Sequence, residues 1–95
     1  MRLYYVYILK CTDGTFYTGV TSNLSKRFFE HRSGFHKDSY TYKRRPVSLV
    51  FYTSFTEINF AIASEKQIKK WSQAKKKTLI DSKYEKLPNL AKNKF

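Results

Sequence analysis

The sequence predicts an α+β domain: a small three-stranded, antiparallel-type sheet, hairpin first, flanked by about three helices in the order β-β-α-β-α-α. Three observations carry that expectation. A run of β-forming residues, Tyr4-Tyr5-Val6-Tyr7-Ile8-Leu9, is followed by Asp13-Gly14 and a second such run, the pattern of a hairpin. Two later stretches place apolar residues at helical spacing. The 95 residues, 41% hydrophobic and 18% aromatic, allow one modest core. Residues 1–85 are therefore read as a single domain and residues 86–95 as a C-terminal tail.

Taken in order, residues 4–9 are β-branched, aromatic or aliphatic throughout. A short run of that kind, bounded by polar residues, reads as a strand buried on both faces. Residues 16–20 form the returning strand. Ser22 or Asn23 can cap a helix that begins near Leu24, and Gly34 can end it. Residues 36–46 (HKDSYTYKRRP) are polar, basic and aperiodic, and read as an exposed connection closed by Pro46. Residues 49–53 make a third strand. Thr56 offers an N-cap, with Glu57 in the first turn of a long helix that reaches about Trp71. Ser72-Gln73-Ala74 breaks that pattern, and residues 75–82 make a short third helix with Leu79 and Ile80 facing in. The tail carries Pro88 and scattered apolar residues, and reads as loosely docked.

Several residues sit oddly on these elements. Leu24, Arg27, Phe28 and His31 fall on one helical face, so an apolar stripe carries an Arg and a His. They are either a snorkelling Arg with a satisfied core His, or donors pointing into a cleft beside the hairpin. Tyr7 and Tyr17 stand on the hairpin strands where a plain register brings both to one face. Glu65 falls in the middle of the stripe formed by Ile58, Ala61, Ile62 and Ile68, where a free carboxylate is costly. It needs a cation, and Arg27, a lysine or a metal ion are the candidates. In the connection, Tyr40 and Tyr42 interleave with Lys37, Lys43, Arg44 and Arg45; such rings either stack on unpaired bases or fold back over the core.

The ordered set Val6-Tyr7-Ile8, Tyr17-Thr18-Gly19, Arg27, His31, Ala61-x-x-x-Glu65 and Ile68-Lys69-Lys70-Trp71 resembles the GIY-YIG nuclease family, in its small single-domain bacterial form. The resemblance covers nearly the whole chain. Tyr5 stands where the family name has Gly, and Val6 and Thr18 where it has Ile; the late Asn of many members has no clear counterpart in Asn89 or Asn93. The resemblance implies the GIY-YIG endonuclease fold and a metal-dependent endonuclease acting on DNA, in repair or processing. It implies Tyr7, Tyr17, Arg27, His31 and Glu65 as catalytic residues, with Glu65 holding a single divalent ion, Mg²⁺ or Mn²⁺. Arg27 would hold phosphate oxygens, and either tyrosine could take the water's proton if nearby cations lower its pKa. His31 would accept a proton from the tyrosine or bind phosphate. Lys26, Arg32, Lys37, Tyr42, Lys43, Arg44, Arg45 and Lys69 are the residues expected to touch nucleic acid.

Composition agrees with that partner. Nineteen Lys and Arg against seven Asp and Glu give a formal net charge of +12, a field that attracts polyanions. The lone Cys11 excludes an internal disulfide and a thiolate zinc cluster, and two histidines are too few for a structural zinc site. No Walker-type glycine loop and no Ser-His-Asp or Cys-His nucleophile set is present. No segment is apolar over a bilayer's thickness and the start lacks a signal-peptide pattern, so the expected location is cytoplasmic, with no membrane partner. The rival readings are a catalytically inactive basic nucleic-acid-binding module and a protein-interaction domain for acidic partners.

Overall fold

The computed structural model describes residues 2–85. Its elements are β1 (Tyr4–Lys10), β2 (Phe16–Thr21), α1 (Leu24–Ser33), a 3-10 turn at Tyr42–Arg44, β3 (Ser48–Phe55), α2 (Ile58–Lys69) and α3 (Gln73–Glu85). The strands form one antiparallel sheet in the order β2-β1-β3. β1 is thus the central strand, and its unbroken apolar run follows: Val6, Tyr7, Ile8 and Leu9 are all fully buried.

Alternation along β1 divides the interior in two. Val6 and Ile8 point to a core built with Phe51, Ala61 and Ile68, against which Leu79 and Ile80 of α3 also pack. Tyr7 and Leu9 point the other way, to a cluster with Cys11 and Val47 that Leu24 and Phe28 of α1 help to cover. The sheet therefore lies between α1 on one face and α2 with α3 on the other. In the hairpin turn, Gly14 takes φ 86°, a left-handed conformation that glycine adopts without strain. Asn23 caps α1 by accepting from the Lys26 amide, and Gly34 ends it at φ 77°.

Three expectations need correction. The N-cap of α2 is Glu57, not Thr56: β3 continues in register to Phe55, opposite Tyr4, which moves the turn outward, and the Glu57 carboxylate accepts from the Asn59 amide. The helical pattern does break after α2, at residues 70–72, but the third helix starts at Gln73 rather than at residue 75. The Ser72 hydroxyl accepts from the Lys75 amide and α3 begins at Gln73. The connection over residues 36–46 is not exposed throughout, since Thr41 is fully buried and the chain makes a 3-10 turn after it. The expected tail, residues 86–95, lies outside the described residues. Among the described residues, no helix is long and apolar enough to cross a membrane.

Candidate active site

The hairpin register brings the two tyrosines together. Tyr7 lies opposite Gly19 and Leu9 opposite Tyr17, so Tyr7 and Tyr17 are diagonal neighbours on the α1 face, with ring centroids 6.4 Å apart. The glycine is sterically required here. A Cβ at Gly19 would lie 2.5 Å from the Tyr7 hydroxyl oxygen and 2.6 Å from the ring carbon bearing it. The Tyr-x-Gly spacing thus leaves room for the first tyrosine's ring to lie across the second strand.

α1 supplies the other two groups. His31 is 3% exposed, and its ring is bonded on both sides: Nε2 to the Tyr7 hydroxyl at 3.0 Å, Nδ1 to Thr41 Oγ1 at 2.8 Å. Thr41 Oγ1 also meets Ser39 Oγ at 3.1 Å, so a polar chain runs Tyr7–His31–Thr41–Ser39. Two tautomers satisfy it, with the proton on Nδ1 given to Thr41 or the proton on Nε2 given to Tyr7. Burial, and then the positive charge of Arg27, push the His31 pKa below its usual value and hold the ring neutral. Burial, with the nearby Tyr17, pushes the Tyr7 hydroxyl up to about 12, although Arg27 works against this. The cleft expectation asked for a tyrosine pKa that falls; at Tyr7 burial wins over the cation. Burial alone would lower the Arg27 pKa, but interaction with the hydroxyls of Tyr7 and Tyr17 outweighs it and the pKa is raised. The guanidinium therefore faces both phenols, while its buried Nε has no protein partner.

Glu65 comes from the opposite layer. It is 8% exposed on α2, the helix packed against β2 and β1, and its charge reaches Tyr7. Its cation is Lys69, one helical turn on, with Nζ 3.0 Å from Oε2. Of the three candidates raised by the sequence, Arg27 stays with the tyrosines and Lys69 is the cation paired with the carboxylate in this structure. Among the described residues no three His, Cys, Asp or Glu side chains cluster as a ready-made metal cage. A single inward carboxylate suits a hard ion such as Mg²⁺, which keeps several waters and takes one or two protein oxygens.

The basic residues separate into free and engaged groups. Lys26, Lys37 and Lys43 are exposed, and Arg32 lies over the Phe28 and Phe29 rings at 5.5 and 5.9 Å. Arg44 is fastened to Asp13 at 3.1 Å and to the Tyr40 carbonyl at 2.8 Å, and lies 3.9 Å over the Tyr40 ring. Arg45 donates to the Tyr42 carbonyl at 2.8 Å and covers the Tyr42 ring at 4.5 Å. The tyrosines of the connection are thus braced by their own arginines, and Tyr40 stacks on Tyr17 with centroids 6.0 Å apart. Thr41 escaped the sequence reading because nothing local marks a threonine that will sit ten residues from its histidine partner. Lys76 escaped it as one of three consecutive lysines.

A model of the GIY-YIG catalytic domain matches residues 3–78. The chain belongs to the GIY-YIG family. Among its GIY-YIG relatives, a UPF0213 protein of Syntrophus aciditrophicus is 49% identical over 76 residues, which cover 80% of this chain and 87% of that one. A UPF0213 protein of Clostridium perfringens is 44% identical over 88 residues, covering 93% and 94%. Two solution NMR structures share the fold. The UPF0213 protein of Bacillus halodurans has a TM-score of 0.57 at 38% identity, over 85% of each chain. A protein of E. faecalis has a TM-score of 0.61 at 32% identity, over 86% of each. GIY-YIG domains are nuclease domains, which makes nucleic acid the family's substrate class.

Proposed function

We propose that the protein is a metal-dependent endonuclease that hydrolyses phosphodiester bonds in DNA, an activity suited to DNA repair or processing. One observation carries the reading: Arg27 faces two phenol hydroxyls on one side of the sheet while the buried Glu65 reaches the same strands from the other.

Roles follow from accessibility. Tyr17 is half-buried and borders open space, whereas Tyr7 is fully buried and bonded to His31. Tyr17, once its own proton has passed to solvent, is therefore the group placed to take the proton of the attacking water, while Tyr7 and His31 hold the arrangement behind it. The water oxygen bonds to phosphorus, the bond to the leaving oxygen breaks, and that oxygen takes a proton from solvent. Arg27 binds the non-bridging oxygens as negative charge develops on them. When bound at Glu65, a divalent cation would supply Lewis-acid stabilisation of phosphate charge. His31 contributes by keeping Tyr7 in place, because both of its ring nitrogens are engaged inside the protein.

The test is cleavage of a panel of duplex, single-stranded and branched DNA, and RNA, with Mg²⁺ or Mn²⁺. Glu65→Gln should abolish cleavage and leave oligonucleotide binding nearly unchanged. A normal divalent-dependent rate in that variant would show the carboxylate is not the metal ligand. A parent protein that binds every substrate and cuts none would instead be the inactive binding module.

A further inference from the structure

Beside Tyr17, the edge of β2 forms one wall of a cavity of about 350 Å³ lined by Phe16, Tyr17, Thr18, Tyr40, Lys69 and Lys76. Four elements meet there. β2 gives the floor, the connection after α1 gives Tyr40, and α2 and α3 each give one lysine. The cavity walls are held by tethers to the hairpin turn. Gln73 Nε2 of α3 donates to the Gly14 carbonyl at 2.8 Å, and Arg44, which carries Tyr40 on its guanidinium, is paired with Asp13.

Two ammonium groups in one small cavity repel each other unless an anion joins them. Lys69 has Glu65, but Lys76 has no ion-pair or side-chain hydrogen-bond partner among the described residues. Lys76 is half-buried, unlike its neighbours Lys75, which lies 4.5 Å over the Trp71 ring, and Lys77, which is paired with Asp81 at 3.0 Å. Burial, and then the charge of Lys69, lower the Lys76 pKa. An anion entering the cavity would meet both ammoniums and the hydroxyl-bearing rings of Tyr17 and Tyr40.

We propose that this cavity is a phosphate subsite for the nucleic-acid strand being cut, and that Lys76, with Lys69, is the residue that binds a phosphate there. The inference rests on the nuclease reading above and adds to it a contact from α3. A nucleic-acid strand fits because its phosphates repeat along the chain. Tyr17 links the two places, since it lines the cavity and interacts with Arg27.

The experiment compares Lys76→Met, Lys76→Arg and Lys77→Met in binding a fluorescein-labelled DNA oligonucleotide in EDTA, from 50 to 300 mM KCl. Lys76→Met should weaken binding about three- to tenfold and reduce the slope of log K against log salt by roughly 0.7–0.9, one phosphate contact. Lys76→Arg, which keeps the charge that neutralises a phosphate, should restore most of the affinity. Lys77→Met loses the same charge from the same helix outside the cavity, and should change affinity less than twofold. On a cleaved substrate, Lys76→Met should raise KM with kcat nearly unchanged. Equal losses in Lys76→Met and Lys77→Met would mean net charge alone acts, and the subsite would fall. A Lys76→Met protein that binds and cuts like the parent would also remove it while leaving the nuclease reading intact. A parent that neither binds nor cuts the DNA would overturn both.

Discussion

Replacing Tyr7 or Tyr17 by phenylalanine removes one oxygen and keeps the ring, yet the two positions should respond in opposite ways. The Tyr7 hydroxyl is buried and bonded to His31 Nε2 at 3.0 Å, and His31 has no route to solvent for a substitute partner. Tyr7→Phe therefore leaves a buried ring nitrogen unsatisfied. That costs about 1–2 kcal/mol, with no cavity term because the ring remains. For a domain of this size the loss corresponds to a fall in Tm of about 5–15 °C. Tyr17 is half-buried at the cavity edge, where water can replace lost contacts, so Tyr17→Phe should cost less than about 0.5 kcal/mol. Its effect should be on rate, about a hundredfold or more. Thermal melts by circular dichroism and cleavage rates measured well below both Tm values separate the effects. A Tyr7→Phe protein that melts with the parent would refute the buried bond to His31. A fully active Tyr17→Phe protein would refute its assignment as the base.

Two further outcomes follow from the same geometry. Gly19→Ala should cost about 1–3 kcal/mol by overpacking against the Tyr7 ring; a melting temperature equal to the parent's would contradict the close approach. Stability should fall as pH drops below about 6.5, the His value in an unfolded chain. The reason is that burial, Arg27 and His36 depress the His31 pKa, with Glu30 opposing, so the unfolded state binds more protons in that window. His31→Gln should flatten this part of a Tm-against-pH curve, and an unchanged slope would show that His31 does not titrate differently on folding.

Local chemistry explains what the sequence made legible. β1 declared itself because a central strand needs apolar residues on both faces, and α1 because Asn23 and Gly34 are the residue types its ends require. The pairing of Tyr7 with Tyr17 followed from the short hairpin. What stayed hidden depends on partners distant in sequence. His31 meets Thr41 across 10 residues and Tyr7 across 24; Arg44 meets Asp13 across 31 and Gln73 meets Gly14 across 59. Periodicity can place Glu65 on an inward stripe, but only the packed structure selects Lys69 over Arg27 as its cation. The same limit applies to the lysine run at residues 75–77. Sequence alone gives three equal charges; the fold sends one over Trp71, one into the cavity and one to Asp81.

These long-range contacts have a common geography. The hairpin turn receives the connection through Asp13–Arg44 and through the Thr12 amide, which donates to the Arg44 carbonyl at 2.9 Å. It receives α3 through Gly14–Gln73. Each contact is exposed and contributes little to stability by itself. Their effect is positional: one turn helps set where Tyr40 and Lys76 stand in the cavity beside Tyr17. The groups assigned to the chemistry, by contrast, sit on the sheet and on the helices packed against it, where neighbouring side chains lock their rotamers. On the proposed reading, the reacting groups thus rest on the rigid layers, and the shape of the cavity beside Tyr17 rests on the elements tethered at the hairpin turn. Variation in the turn and its two tethered partners can change what enters the pocket without displacing Tyr7, Arg27, His31 or Glu65.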